Sequence, residues 1–125
     1  MPERYVYPFE KLRVWQSARS LIKKVYQTTK VFPRSELYGL TPQTNRAAVS
    51  IAANLAEGAP RTSRKDQAHF SEIAYGSLTE LACLLILAKD VGVLSENSEG
   101  DLRATIEHVS AQLNALHRSQ RARSD

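Results

Sequence analysis

GLTPQTNRAAVSIAANLAEG, residues 39–58, reads as a helix with almost no face left for water. At about 100° per residue, Gln43, Arg46, Ser50, Asn54 and Glu57 fall on one strip about 80° wide. Ala47, Ala48, Val49, Ile51, Ala52, Ala53, Leu55 and Ala56 cover the rest of the circumference. An ordinary surface helix buries one stripe and solvates the opposite one. A helix that is apolar nearly all round has to be covered from more than one side, by its own domain and, for the excess, by another subunit. Thr41 is placed to cap the first turn with Pro42 at the first helical position. Gly58 is placed to close the helix in the left-handed conformation before Ala59 and Pro60 stop it.

Three further helices follow from the same periodicity. Over residues 10–31, Leu12, Trp15, Ala18, Leu21, Ile22, Val25, Tyr26 and Thr29 recur at spacings of three and four, with Trp15 as the principal core anchor. Arg13, Gln16, Ser20, Lys23, Lys24 and Gln27 take the solvated side, and Pro33 ends the segment. A third helix, residues 64–91, starts after Ser63 with Asp66 three positions on and stops before Gly92. Its stretch ACLLILA, 82–88, is apolar on every side. The fourth, 98–120, carries Leu102, Ile106, Val109, Leu113 and Leu116 on one stripe, and the tail RARSD is expected to fray. Short connections between such helices predict an all-α, antiparallel up-down-up-down four-helix bundle in one domain, 1–125. The helices at 42–57 and 64–91 carry more apolar surface than a four-helix core needs, which predicts a homo-oligomer.

Composition bounds the remaining classes. A chain of 125 residues, 42% hydrophobic and 24% charged, is globular, and no unbroken apolar run approaches the roughly 18 residues of a membrane span. No apolar stretch with a small-residue cleavage site follows MPERYVYP, so a cytoplasmic protein with no membrane partner is expected. Cys83 is the one cysteine; its apolar neighbours predict a buried, inert thiol. The net charge of +4 is unevenly spread. Residues 1–34 hold Arg4, Lys11, Arg13, Arg19, Lys23, Lys24, Lys30 and Arg34 against Glu3 and Glu10, giving +6. Residues 71–101 hold Lys89 against Glu72, Glu80, Asp90, Glu96, Glu99 and Asp101, giving −5. Such asymmetry steers a polyanion or pairs subunits through complementary fields.

No catalytic constellation emerges. The repeated Glu-x-x-His arrangement of a bundle metal site is missing, and His69, His108 and His117 read as surface or boundary histidines. No phosphate-cradling glycine loop or serine-nucleophile turn occurs, so a protein without enzymatic activity, cofactor or small-molecule substrate is expected. The strip of Arg46, Ser50, Asn54 and Glu57 is either where the second helix meets water or a polar seam that fixes register. In the latter, Arg46 needs a carboxylate and Glu80 is the candidate. Gly76 and Ser77 sit mid-helix, where close approach of another helix would account for the glycine. Nine of the 17 basic residues fall into three sets: Arg13, Lys23 and Lys24; Arg61, Arg64 and Lys65; Arg118, Arg121 and Arg123. With 7% aromatic residues and no evident stacking platform, they predict backbone-tracking, sequence-tolerant binding of RNA or DNA. The competing expectation is a protein-interaction scaffold with no nucleic-acid activity.

FEKLRVWQSAR, GLTPQTNRAAVSIAANLAEG, and SRKDQAHF with AYGSLTEL occur in order at fitting spacings. Together they resemble the four-helix-bundle proteins encoded in intervening sequences of bacterial 23S ribosomal RNA genes. That family includes the accessory variability determinant proteins of diversity-generating retroelements. The resemblance covers residues 9 to about 116 and implies a bacterial cytoplasmic homopentamer. In the retroelement branch it implies nucleic-acid binding and association with a reverse transcriptase. Phe9, Leu12, Val14, Trp15, Gly39, Leu40, Arg46, Ala47, Ser50, Asn54, Glu57, Gly58, Gly76, Ser77 and Glu80 match the family pattern. The chain departs from it at Asn45, where a second basic residue is common, at Ala52, a frequent proline, and at Ala82 and Leu84, usually polar.

Overall fold

The computed structural model describes residues 3–122. It contains α1 (Arg13–Thr29), α2 (Leu40–Gly58), α3 (Arg64–Asp90) and α4 (Glu96–Ala122), with 3-10 turns at Pro8–Lys11 and Arg34–Glu36 and no strand among the described residues. Arg123 lies outside the described residues. α2 packs on α1 and α3, and α4 closes the ring against α3 and α1. Every neighbouring pair is antiparallel, because contacts that rise in number along one helix fall along the next. Across α2 and α3, Ser50 meets Ser77 at 2.8 Å while Gly58 lies against Phe70. Across α3 and α4, Glu72 meets His117 and Lys89 meets Glu99. Across α1 and α4, Lys24 meets Thr105, and Leu12 shares a cavity wall with Leu116.

Local chemistry sets the helix ends, in some cases differently from the sequence reading. α2 starts at Leu40, two residues before the expected 42, and Thr41 does not cap it. The turn at Arg34–Glu36 instead brings Glu36 Oε1 within 3.1 Å of the Leu40 N–H, and the carboxylate satisfies that orphan donor. Ser63 caps α3 as expected, its Oγ accepting from the Asp66 N–H at 3.0 Å. Gly58 ends α2 without the left-handed conformation; among the described residues only Gly92 has it, at φ 82°. After α3, the Val93 N–H reaches the Ala88 carbonyl and the Gly92 N–H that of Lys89, the paired bonds of a Schellman closure. Gly58 is required for packing instead: a Cβ there would stand 2.6 Å from Phe70 Cβ.

The core is continuous through all four helices. Leu21, Ile51, Leu81, Leu85, Val109 and Leu113 are fully enclosed. In α1 the buried stripe is Val14, Ala18, Leu21, Val25 and Thr29, and Trp15 is only half-buried. Val14 leads that stripe, and Trp15, about 100° further round the same helix, lies at the rim between Phe9 and Arg19. Trp15 therefore borders the core instead of anchoring it. In ACLLILA, Leu84, Leu85 and Ala88 are buried while Ile86, Leu87 and the Cys83 thiol are exposed, contrary to the buried cysteine expected. By length and composition alone α3 could cross a membrane, with an 18-residue window of mean hydropathy 1.4. Here it is a bundle helix, and its apolar residues divide between the core and an outward face. Thr44 is also enclosed, with no partner for its Oγ1 among the described residues.

Candidate nucleic-acid interface and outward helix face

Antiparallel packing converts separation in sequence into proximity. α1 and α3 begin, and α2 and α4 finish, at one end of the bundle. Leu12, Gly58, Arg64, Leu116 and Gln120 line a cavity of about 140 Å³ there. To this end the chain brings Arg13 on the first residue of α1, Arg61, Arg64 and Lys65 at the corner between α2 and α3, and Arg118 and Arg121 on the last turns of α4. Glu10, Glu57, Asp66 and Glu72 are the nearby carboxylates along the same stretches. The opposite end holds Glu36, Asp90, Glu96, Glu99 and Asp101 together with Lys30, Arg34, Lys89 and Arg103, so its charges nearly balance. The net positive charge is therefore concentrated at the first end. Lys23 and Lys24 stand apart, along the side of α1, and Lys24 Nζ donates to Thr105 Oγ1 at 3.1 Å.

The basic side chains are not equivalent. Arg61 is committed to the fold: its Nε donates to the Glu57 carbonyl at 3.1 Å, and its guanidinium lies 4.7 Å from the Phe70 ring centroid. Arg64 is half-buried and forms part of a cleft of about 430 Å³ with Lys65, His69, Glu72 and Arg121. Arg13, Arg118 and Arg121 are exposed. Within the cleft, Glu72 Oε2 lies 2.8 Å from His117 Nε2. This hydrogen bond is the main cause holding the Glu72 carboxyl below its usual range. Desolvation opposes the shift, while the charges of His117, Arg121 and His69 reinforce it. Among the described residues no group of three or more His, Cys, Asp or Glu side chains converges as a metal site would require.

The strip on α2 splits in two. Ser50 and Asn54 turn toward α3: the Ser50 and Ser77 hydroxyls are 2.8 Å apart, and Asn54 Nδ2 donates to the Ser50 carbonyl at 2.8 Å and to its Oγ at 3.1 Å. Arg46 and Glu57 face water. The proposed Arg46–Glu80 ion pair is not formed, although both side chains line one cleft of about 410 Å³. The polar contact between α2 and α3 is thus neutral, and the charges sit outside it. Further out, Arg46, Val49 and Ala53 on α2 are exposed, as are Ile73, Gly76, Glu80, Cys83 and Leu87 on α3. Alternation of three and four is the spacing of a helix-packing seam. No atom comes within 4 Å of a Cβ built on Gly76, so the close approach expected there is not made within this chain. Leu84, one of the departures from the family pattern, is buried in the core, and Asn45 Oδ1 accepts from Thr29 Oγ1 at 2.9 Å.

One feature escaped the sequence reading. Tyr5, Tyr7 and Phe9 form a contiguous row of rings running onto Trp15. The signal that could have revealed it is the period-two placement of aromatics in YVYPF, residues 5–9, with Pro8 holding the chain extended ahead of it.

No curated protein matches the chain. Residues 10–115, from the turn ahead of α1 to the penultimate turns of α4, match the family model described as 23S rRNA-intervening sequence protein. With that match extending over all four helices, the chain belongs to the 23S rRNA-intervening sequence protein family.

Proposed function

We propose that this protein is a non-catalytic, self-associating helical bundle that binds the sugar-phosphate backbone of RNA or DNA at its basic end, without sequence preference. It would act as an accessory to a nucleic-acid enzyme, a reverse transcriptase being the one the resemblance implies. The observation that carries the reading is the gathering of Arg13, Arg64, Lys65, Arg118 and Arg121 from three separate segments onto one end. Helix dipoles add little there, since two N-termini and two C-termini meet and their fields oppose. The attraction comes from the side chains. Neutralising about four phosphates makes log K fall with log salt at a slope of roughly −3 to −4.

The test is a fluorescence-anisotropy titration of single-stranded DNA, duplex DNA and structured RNA at two salt concentrations. It compares the parent with Arg64→Glu/Arg121→Glu and Lys23→Glu/Lys24→Glu. Steep salt dependence and a larger loss in the first variant support the basic end. Absence of binding at low salt by a folded, assembled protein removes the reading and leaves a protein-interaction scaffold. The self-association half rests on the exposed seam of α2 and α3, and its measure is mass in solution. The five copies of the 14.0 kDa chain implied by the resemblance would weigh about 70 kDa. An assembly held by apolar contact survives high salt, whereas one held by charge dissociates.

A further inference from the structure

Tyr5 and Tyr7 alternate along a segment without helix, Tyr7 being extended with φ −72° and ψ 151°, and Phe9 follows inside the 3-10 turn Pro8–Lys11. Alternation places Tyr5 and Tyr7 on one side, and the turn sets Phe9 beside Tyr7 to complete a row of three rings. The Tyr7 and Phe9 rings are nearly parallel, 8° apart in plane with centroids 5.5 Å apart. Tyr5 stands edge-on to Tyr7 at 5.2 Å. Phe9 meets Trp15 at 4.8 Å, and the Arg19 guanidinium lies 5.4 Å from the indole centroid. The row is held in place: the Tyr7 N–H donates to Glu10 Oε2 at 2.8 Å, and Gln16 Nε2 donates to the Glu10 carbonyl at 2.9 Å. The core does not account for it. Phe9 suffices to cover Trp15, while Tyr5 and Tyr7 extend beyond and remain 74% and 55% exposed.

We infer that this row is a stacking platform for the unpaired bases of a single-stranded nucleic acid, deepening the nucleic-acid reading above, on which it rests. Arg4, Lys11, Arg13 and Arg19 flank the rings, against Glu3 and Glu10, and the Glu10 carboxylate is already engaged by the Tyr7 N–H. Exposed aromatic rings where cations outnumber carboxylates are what a strand with splayed bases needs, the cations taking phosphates while the rings take base faces. A duplex keeps its base faces stacked on one another and offers the rings nothing. Pro8 shares the wall of the end cavity with Arg64, so a strand lying on the rings continues onto the basic end. The site recognises an unpaired base on a phosphodiester chain, RNA or DNA alike.

The test compares a fluorescein-labelled 15-nucleotide poly(U), oligo(dT) of equal length and a duplex, using the full chain. Variants are Tyr5→Ala/Tyr7→Ala, Tyr5→Phe/Tyr7→Phe, and Tyr38→Ala as an exposed tyrosine at the other end, with folding checked by circular dichroism. Single strands should bind more tightly than duplex and quench Trp15, the chain's one tryptophan. The double alanine variant should lose roughly 5- to 100-fold for single strands with duplex affinity unchanged. The phenylalanine variant and Tyr38→Ala should bind like the parent. Relative affinity for poly(U) and oligo(dT) tells RNA preference from DNA preference. Equal binding of single strand and duplex, with the alanine variant unaffected, overturns the platform and leaves the basic end standing. A parent that binds no nucleic acid at low salt overturns both. A change of mass in the alanine variant, with binding unaltered, makes the row a contact between copies and overturns the platform.

Discussion

Replacing Gly58 with alanine should force α2 and α3 apart at the basic end. The new Cβ would lie 2.6 Å from Phe70 Cβ and 3.4 Å from its Cγ. Carbon atoms rest about 3.5–4.0 Å apart, so the helices must separate by roughly 1 Å. The obstructing atom is attached directly to the α3 backbone, and no change of rotamer removes it. Overpacking of this kind costs about 1–3 kcal/mol. Alanine's intrinsic advantage of about 1 kcal/mol is only partly realised at the last residue of a helix. The net expectation is a loss of about 1–2 kcal/mol, or roughly 3–8 °C in Tm for a domain of this size. Gly100→Ala is the control: it lies inside α4 with nothing within 4 Å of the added methyl, and should gain about 0.5–1 kcal/mol. Urea titrations of all three proteins at one fixed protomer concentration give the comparison, since any association would add stability. Opposite movements of the midpoint at unchanged slope support the close α2–α3 approach. A Gly58→Ala midpoint that rises like that of Gly100→Ala refutes it, and with it the placement of Arg61 and Arg64 around that corner.

Thr44→Val should raise stability by about 1 kcal/mol in the same titration, because it removes a fully buried hydroxyl that has no partner among the described residues; a loss would show that the hydroxyl is satisfied. Glu99 is 7% exposed and lies 2.9 Å from Arg103 Nε and 3.7 Å from Lys89 Nζ, tying the end of α3 to the start of α4. Glu99→Ala should cost about 1–3 kcal/mol, and a midpoint within error of the parent would refute that tie. Glu72 has a depressed carboxyl in the folded protein, so its pairing contributes stability above the unfolded carboxyl's value, lost as pH falls through the lower folded value. In His117→Ala the Glu72 midpoint followed by carbon NMR should move up; an unchanged midpoint would show that His117 is not the cause. Cys83 should react with a thiol reagent at a free-thiol rate in dilute protein and more slowly as concentration rises, if copies meet along the α3 stripe. A rate independent of concentration would place the contact elsewhere.

The four helices and their order were legible because three-and-four periodicity survives tertiary packing and because Ser63 and Gly92 end α3 by local rules. Other features depended on information that a single segment does not contain. A glycine has two uses, an unusual φ or the lack of a side chain, and Gly58 uses the second because Phe70 lies against it. ACLLILA is apolar on every arc, so no helical wheel could tell that Cys83 faces outward while Leu84 and Leu85 face in. The carboxylate that caps α2 comes from Glu36, in a turn the periodicity did not anticipate. Trp15 lies about 100° round α1 from Val14, at the edge of an apolar arc too wide for periodicity alone to divide into core and rim. The three basic sets were visible along the chain; antiparallel packing is what gathers Arg13 with the second and third, while Lys23 and Lys24, about 15 Å further along α1, stay apart.

The basic end and the exposed seam of α2 and α3 lie on different parts of the bundle, so association through the seam would leave the basic end open. The geometry of association then decides what the end can do. A dimer about a two-fold axis perpendicular to the helices places its two basic ends on opposite faces, and each meets nucleic acid alone. A ring about an axis parallel to the helices brings every basic end onto one rim. Contacts on such a rim act at high effective concentration on one strand, and avidity exceeds single-copy affinity by about 10²–10⁴ without any new contact. Loss of assembly would then reduce binding even where the basic end is untouched. Val49→Glu, exposed on the seam and remote from the basic end, should dissociate the copies. It should lower the affinity for a long strand far more than for one too short to bridge two subunits. Equal losses for both lengths would refute the rim and leave each bundle binding on its own.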